Sequence, residues 1–590
     1  MAKRTRSLST SSPTASMRGA VAKKTRSDLK FLPNKIATVN DAAKADASPP
    51  MQQLLLALRN APKKASKGEC VVYWMRMEDL RIRDNRALSQ ASQQAQLEGV
   101  PLIALFVFSP QDYVAHDRSP RRIDFTLRNL KIIRAELAKL DIPLCTVTHS
   151  PRKEIPAFLH DLFRKWKATR VFANMEYEVD ELRRDLALLQ VANKEGKIAC
   201  EFVHDKCVVA PGDVKTKDGR GYTVYSPFLR VWKPILDQAQ DNHISEAEAP
   251  SSNDKSVRSH PTFSKLFDVE VPDSIEGFAL DPEDKEKMSK YWHAGEEAAH
   301  QMLHQFLKSA SHASKLGAVN PLEGEAKEVK DPGKQSRLGK YKDDRDRLDA
   351  DSTSRMSPYL AAGVISARAC IRDALKICGT KKVDASRDTG VGRWIQEIAW
   401  RDFYTHVLAL FPRVSMGRPF QEKYANVQWE TNEDHLQAWK EGRTGVPIVD
   451  ASMRQAREMG WMHNRGRMIA AMYLTKDLMI DWRLGEKFFM ETLIDGDLAS
   501  NNGGWQWSAS TGVDPAPYFR IFNPYTQSQK TDPRGLYIRA FVPELAKLSG
   551  ADIHNPSSGV ADKLGYPRPL VDHHEARQRA LRRYKDIGSK

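Results

Sequence analysis

The hydrophobic period of this chain changes once, and that change sets what it can fold into. From about residue 68 to 205, the short apolar runs CVVYWMR, PLIALFVFSP, PLCTVTH and ATRVFANMEY alternate with the helically spaced stretches LRIRDNRALSQASQQ, FTLRNLKIIRAELAKL and IPAFLHDLFRKW. Runs that are apolar throughout, with helices between them, predict a parallel sheet covered on both faces. A polar stretch rich in Ser, Pro and acid, AQDNHISEAEAPSSNDKSVRS, follows within a predicted interdomain linker at 206–285. Beyond it the spacing is helical almost throughout, as in EEAAHQMLHQFLKSA, ARACIRDALKICG, GRWIQEIAWRDFYTHVLALF and EKFFMETL. The reading is an α/β domain with a parallel sheet (68–205) and a larger all-helical domain (286–585).

Residues 1–35 carry nine Lys/Arg and one acid among many Ser and Thr. Such a stretch cannot bury a core, so residues 1–67 are predicted as a disordered basic extension. Lys3-Arg4 and Lys23-Lys24 suggest nuclear import, while the scarcity of acid also fits a mitochondrial transit peptide. The formal charge of +16 favours a polyanionic partner, with solubility as the plainer alternative. No apolar run approaches the ~20 residues of a membrane span, so no membrane partner is expected. Six cysteines without a C-x-x-C predict neither a disulfide framework nor a zinc site, and no metal is expected. No G-x-G-x-x-G follows the first strand, so an ordinary dinucleotide fingerprint is absent.

Four constellations carry chemistry. Asp495-Gly496-Asp497 and Asn501-Asn502-Gly503-Gly504-Trp505-Gln506-Trp507 fall within thirteen residues, downstream of a helix bearing Arg465 and Arg467. Buried carboxylates need donors, which the arginines or a ring imide N–H can provide. Asn501 can both donate and accept. Trp394, Glu397, Trp400, Arg401 and Tyr404 recur at helical spacing on one face, offering stacking surfaces and a carboxyl for base edges. Thr353-Ser354-Arg355-Met356-Ser357-Pro358 precedes a helix, where hydroxyls and N–H groups suit phosphates or simply cap the helix. Trp429, Trp482 and Trp505 lie in three stretches read as helical, and core packing is the ordinary use of tryptophan.

Together with WMRMEDLRIRDN and YTVYSPFLRVWKP, these motifs resemble the DNA photolyase/cryptochrome family over about residues 70–555. The resemblance implies an α/β antenna domain joined by a long linker to a helical domain that holds FAD, reduced and anionic (FADH−) in its working form. It implies that Tyr341, Thr353, Ser354, Met356 and Ser357 line the phosphate side of the cofactor. Trp394, Glu397, Arg401, Asn464, Arg467, Asp495, Gly496, Asp497 and Asn501 complete the cofactor site, with Asn501 opposite N5 as in photolyases rather than plant cryptochromes. Trp505, Trp482 and Trp429 match the family's electron-hopping triad. Asn464-Arg465-Gly466-Arg467-Met468 resembles the class I cyclobutane-dimer enzymes, in which Glu397, Trp400, Asn464, Met468 and Trp507 would form the dimer pocket. His463 is the sole candidate for the catalytic histidine of the (6-4) class, and it looks like part of the common helix. Arg465, Tyr404, Gln527 and Lys530 are the expected DNA contacts.

The stretch NMEYEVDELRRD resembles the family's folate-binding segment, with Glu181 and His116 as contacts and Asp180 where Asn is typical. Ser415 and Met416 stand where some folate binders have Cys and Lys. The implied antenna is 5,10-methenyltetrahydrofolate, with a deazaflavin as alternative. The basic extension is similar to that of fungal members. The implied activity is light-dependent repair of cyclobutane pyrimidine dimers in ultraviolet-damaged DNA, by a monomer in the nucleus, with the mitochondrion a second location. A photoreceptor signalling through a partner, and a DNA-binding protein on a degenerate scaffold, are the rival readings.

Overall fold

A computed structural model describes residues 36–61, 68–311, 327–585 and 587. The targeting signals read in residues 1–35 lie outside them. The first domain is built on five parallel strands in the order β3-β2-β1-β4-β5. They are β1 (Cys70–Met75), β2 (Leu102–Phe108), β3 (Leu144–Thr148), β4 (Ala168–Asn174) and β5 (Ala199–Val203). All six residues of β1 are buried, as a central parallel strand requires. The helices Arg86–Glu98, Pro120–Lys139, Ile155–Lys165 and Val179–Glu195 connect the strands. Strand order reverses beside β1, which leaves a crevice at the carboxyl ends of the strands there.

Two expectations are corrected. The stretch before residue 68 is not wholly without structure, because Val39–Ala47 and Pro50–Arg59 are helices. Met51 and Leu54 of the second are fully buried, and Asp46 of the first pairs with Arg413. The basic character of residues 1–35 masked a helically spaced apolar stripe just after it. The linker is likewise part of the body. Its fourteen-residue helix Tyr225–Gln238 buries Tyr225, Phe228, Trp232 and Leu236. Asp402 fastens this segment, accepting from Trp232 Nε1 at 3.0 Å and from the Val209 N–H at 3.1 Å.

Helices dominate from Pro282 onward, and the 21-residue helix Gly390–Leu410 runs through the second domain. The two domains meet closely. Gly363, at φ +65°, brings its turn so near the loop after β1 that an added Cβ would lie 1.8 Å from the Glu78 carbonyl oxygen. Among the described residues no helix is long and apolar enough to cross a membrane, and all six cysteines are free thiols.

Candidate active site

A cavity of about 480 Å³ opens in the helical domain, within the usual range for a ligand site. The helix Gly390–Leu410 supplies Trp394, Glu397, Trp400, Arg401 and Tyr404 to one wall. Tyr341 and the turn Thr353, Ser354, Met356 and Ser357 supply a second. A third comes from Asn464, Arg467 and Met468 of the helix Asn464–Met472. The loop Asp495-Gly496-Asp497 and Asn501, Trp505 and Trp507 of the helix Leu498–Ala509 close the cavity. Asn464 and Gly504 are exposed and mark its mouth.

The electrostatics of the deep wall are specific. Asp495 accepts from Arg467 at 2.6 Å through Oδ2, while its buried Oδ1 has no protein partner. A buried acceptor left unpaired costs ~1–3 kcal/mol, so this oxygen calls for a donor on a ligand. Asp497 caps its helix by accepting from the Ser500 N–H at 2.9 Å, and its other oxygen lies 2.6 Å from Lys206 Nζ. Burial would push the Asp497 carboxyl up, but Lys206 and Arg401 hold it well below the usual carboxylate range. Asn501 donates from Nδ2 to the Glu486 carbonyl at 2.9 Å, which leaves its amide oxygen as an acceptor for a ligand. In the turn, Arg355 takes a left-handed φ of +52°, and Asp351 binds Arg337 and Arg355 at 2.9 Å each. Asp351 therefore pins the turn that carries the hydroxyls.

Towards the mouth, Glu397 pairs with Arg345. Burial raises the Glu397 carboxyl, with Arg345 and Arg393 opposing. Trp400 stacks on Tyr225 at a ring separation of 3.5 Å and 8°, so only its other face can take a base. Gly503 is required by close approach, since a Cβ there would lie 2.2 Å from the Tyr404 ring. Arg345 and Trp461, which donates to Ser357 Oγ at 3.0 Å, line the cavity and were missed by sequence reasoning, as was Tyr225, which backs Trp400 from behind the wall.

One of the three triad tryptophans reaches towards the surface. Trp505 and Trp482 are buried and Trp429 is half-buried. Trp505 lies on Gly485 of the helix Trp482–Thr492. Trp429 is not helical. It precedes Glu430, whose N–H bonds the Met479 carbonyl at 2.7 Å in a parallel bridge two residues from Trp482. Pairing with the chain before Trp482 overrode the helical pattern read there.

The expected DNA contacts are dispersed. Tyr404 lines the cavity, whereas Arg465 is bound to Asp346 at 2.6 Å outside it. Gln527 and Lys530 sit on the helix Pro524–Thr531, Lys530 exposed, and neither lines the cavity. His463 is a helix cap, accepting the Arg465 N–H at 3.0 Å, and burial drives its imidazole down to about 3. It does not line the cavity.

A second, narrow cavity lies at the carboxyl ends of β1 and β2, lined by Trp74, Arg76, Ser109, His116 and Glu181 among others. His116 bridges Glu178 at 2.7 Å and Glu181 at 3.2 Å. Burial opposes the imidazolium, yet the two carboxylates raise it to about 9. Glu181 keeps a buried oxygen without a hydrogen-bond partner. Asp180 does not line this cavity and pairs instead with Arg152 at 2.8 Å. Ser415 Oγ accepts from the Val179 N–H at 3.3 Å, at the start of the helix that carries Glu181. Asp112, His116 and Glu181 bring donor atoms within 4.8 Å of one another, but Arg152 already occupies Asp112 at 2.9 Å.

Comparison with known proteins agrees with this arrangement. Residues 71–250 match the DNA photolyase family model, and residues 394–586 match that of the FAD-binding domain of DNA photolyase. The chain is 43% identical to the deoxyribodipyrimidine photo-lyase of Neurospora crassa, over 94% of this chain and 89% of that protein. It is 34% identical to the mitochondrial deoxyribodipyrimidine photo-lyase of Saccharomyces cerevisiae, over 88% of this chain and 86% of that protein. A class III photolyase from Agrobacterium tumefaciens superposes with a TM-score of 0.71 at 31% identity, covering 90% of this chain and 99% of the other. Two cavities on an α/β and a helical domain, and likeness along nearly the whole length, lead to one conclusion: the chain belongs to the DNA photolyase family.

Proposed function

We propose that the protein repairs cyclobutane pyrimidine dimers in ultraviolet-damaged DNA under blue light, with FAD in the large cavity and the flipped-out dimer at its mouth. The observation that carries this reading is the unpaired Asp495 Oδ1 in a wall that also holds the Asn501 amide. A buried acceptor beside an amide fits the N–H edge of a flavin ring, and the deep cavity suits a flat polar system. When bound, reduced FAD supplies light-driven electron donation that splits the cyclobutane ring and recovers the electron.

The protein's own part is binding and positioning. Thr353, Ser354 and Ser357 offer hydroxyls to the cofactor phosphates beside Tyr341 and Met356. Trp394, Arg401 and Gly496 shape the wall around the cofactor, and Arg467 fixes Asp495. At the mouth, Trp400 and Trp507 offer ring faces to the dimer. Glu397, steadied by Arg345, and the exposed Asn464 offer polar atoms to base edges, with Met468 beside them. Trp505, Trp482 and Trp429 would carry electrons inward from the surface. Lys530, Gln527 and Arg465 would meet DNA phosphates outside the cavity, Arg465 from beside Asp346, and Tyr404 would work at the cavity wall.

The narrow cavity is the proposed antenna site. The unpaired oxygen of Glu181 favours an amino-pyrimidine edge, hence 5,10-methenyltetrahydrofolate, over a deazaflavin. The protein is proposed to act as a monomer in the nucleus, and the mitochondrial yeast relative keeps that organelle as a second location.

The test uses purified, photoreduced protein with ultraviolet-irradiated oligothymidine. Absorbance in the thymine band should recover under blue light and not in the dark. Absence of recovery with FAD bound would point instead to a photoreceptor or to another lesion.

A further inference from the structure

Between the two cavities runs a buried ladder of charges that no step above employs. Lys206, in the segment after β5, places its ammonium 2.6 Å from Asp497 Oδ2 and 2.8 Å from Glu78 Oε2. All three side chains are less than one-tenth exposed. Asp497 lines the large cavity, whereas Lys206 stands behind it, out of the lining. On the far side Glu78 feels Glu176 and Glu178, neighbours of the narrow cavity. Arg401 crosses the junction, donating to the Lys206 carbonyl at 2.6 Å and also lining the large cavity. A buried lysine between two carboxylates is a poor source of stability, because desolvation consumes most of the Coulomb gain. Its placement one side chain behind the cavity wall suggests another use.

We propose that Lys206 is a positioning residue for the cofactor: it clamps the Asp497 carboxylate against the cavity wall and thereby sets the reduction potential of the bound flavin. This rests on the assignment of FAD to the large cavity. Asp497 has both oxygens engaged, one by the Ser500 N–H and the other by Lys206. Remove the ammonium, and that second oxygen faces Glu78 with Arg401 as its remaining nearby cation. The wall then gains net negative charge, or it takes up a proton. Negative charge beside the ring opposes the addition of electrons, more strongly in a dry site than in water. At high pH the potential therefore falls. On acidification the Asp497–Glu78 pair takes a proton and the potential returns towards native. The other charges facing this pair are Arg118, Arg122, Glu176 and Glu178. None replaces the lost ammonium at contact distance.

The experiment is a redox titration of the FAD-loaded full chain from pH 6 to pH 9, with FAD content and thermal melting measured on the same samples. Lys206→Met should keep its FAD, show a lowered potential at pH 9, and approach native as the pH falls. Lys206→Arg should follow the native profile, which a merely structural defect would not reproduce. FAD-loaded Lys206→Met with the native potential at every pH would overturn the proposal. Should that variant fail to fold or to hold FAD, Glu78→Gln alone decides. It leaves the ammonium wholly to Asp497 and should raise the potential at pH 9, and an unchanged value would overturn the proposal. A native chain that takes up no FAD would overturn the cavity assignment, and this proposal with it.

Discussion

Replacing Gly485 by alanine tests the placement of Trp505 with a single methyl group. An ideal Cβ at 485 would lie 2.1, 2.4 and 2.6 Å from three carbons of the Trp505 ring. Carbon atoms not bonded to each other settle at roughly 3.5–4.0 Å, so the ring must retreat by more than 1 Å, on the order of the deficit at each atom. It has little room, being buried, edge-on to Phe489 at 4.9 Å and to Trp439 at 6.0 Å. Overpacking a filled core costs ~1–3 kcal/mol, and three overlapping atoms belong at the upper end. Glycine to alanine inside a helix returns up to ~1 kcal/mol of propensity, which leaves a net loss of roughly 1–2 kcal/mol. Because Trp505 also lines the cavity, displacing it should slow light-driven reduction of bound FAD by an external donor. Gly559→Ala is the control, as nothing lies within 4 Å of its added Cβ. Thermal melting and the rate of photoreduction are the readouts. If Gly485→Ala melts and photoreduces like native protein, Trp505 does not lie on that helix, and its proposed place in the electron-carrying triad loses its structural support.

Two further outcomes follow from the same contacts. Glu397→Gln should retain FAD but weaken capture of dimer-containing DNA by about tenfold or more, the worth of a charge-assisted hydrogen bond, with Arg345 left only the carboxylate of Asp346 at 3.7 Å. Native affinity for irradiated oligonucleotide would remove Glu397 from the dimer site. Acid sensitivity should come in part from two buried imidazoles. His406 and His463 are driven down by burial, to about 4 and about 3, from an ordinary value near 6.5. Below pH 6.5 the unfolded chain takes protons that the folded chain refuses, so stability present above that pH is lost as the pH falls towards 4. Each histidine accounts for about 1.4 kcal/mol per pH unit at most. The melting temperature of His406→Gln combined with His463→Asn should fall less steeply over that window, and an identical slope would refute the assignment.

What was legible in the sequence and what was not divides along a physical line. Asp495, Asp497, Asn501, Trp505 and Trp507 sit close together along the chain, and their side-chain types have few uses in combination. The cavity that gathers them was therefore readable before any coordinates. Arg345, Tyr225 and Lys206 were not. Each is an ordinary residue in a polar or linker-like stretch, and its meaning comes from a partner far along the chain: Glu397, Trp400 and Asp497 respectively. The fifth strand escaped for a local reason. ACEFV is short and lies at a sheet edge, where Glu201 is exposed and breaks the apolar run. Trp429 was misread because a pattern of flanking residues cannot foresee that the chain will pair with Met479 and Ile480.

The boundary between domains carries a related lesson. Periodicity places two units on either side of a linker, which invites a picture of independent bodies. The joint argues otherwise. Asp84 of the first domain binds Arg368 at 2.9 Å and Arg372 at 3.0 Å, and Asp205 binds Arg368 at 2.8 Å. Arg122 donates to Met77 in its own domain and to Ala361 and Ile494 in the other. Gly363 leaves out a Cβ that would push the two backbones apart. Such contacts are directional, and none survives a tilt of a few ångströms, unlike an apolar interface that could slide and repack. A light-harvesting group in one domain and a flavin in the other would need a fixed separation and orientation. Arginines donating to carboxylates and to backbone carbonyls across the joint are a means of fixing both. The same residues would look, read one at a time along the chain, like ordinary surface charge.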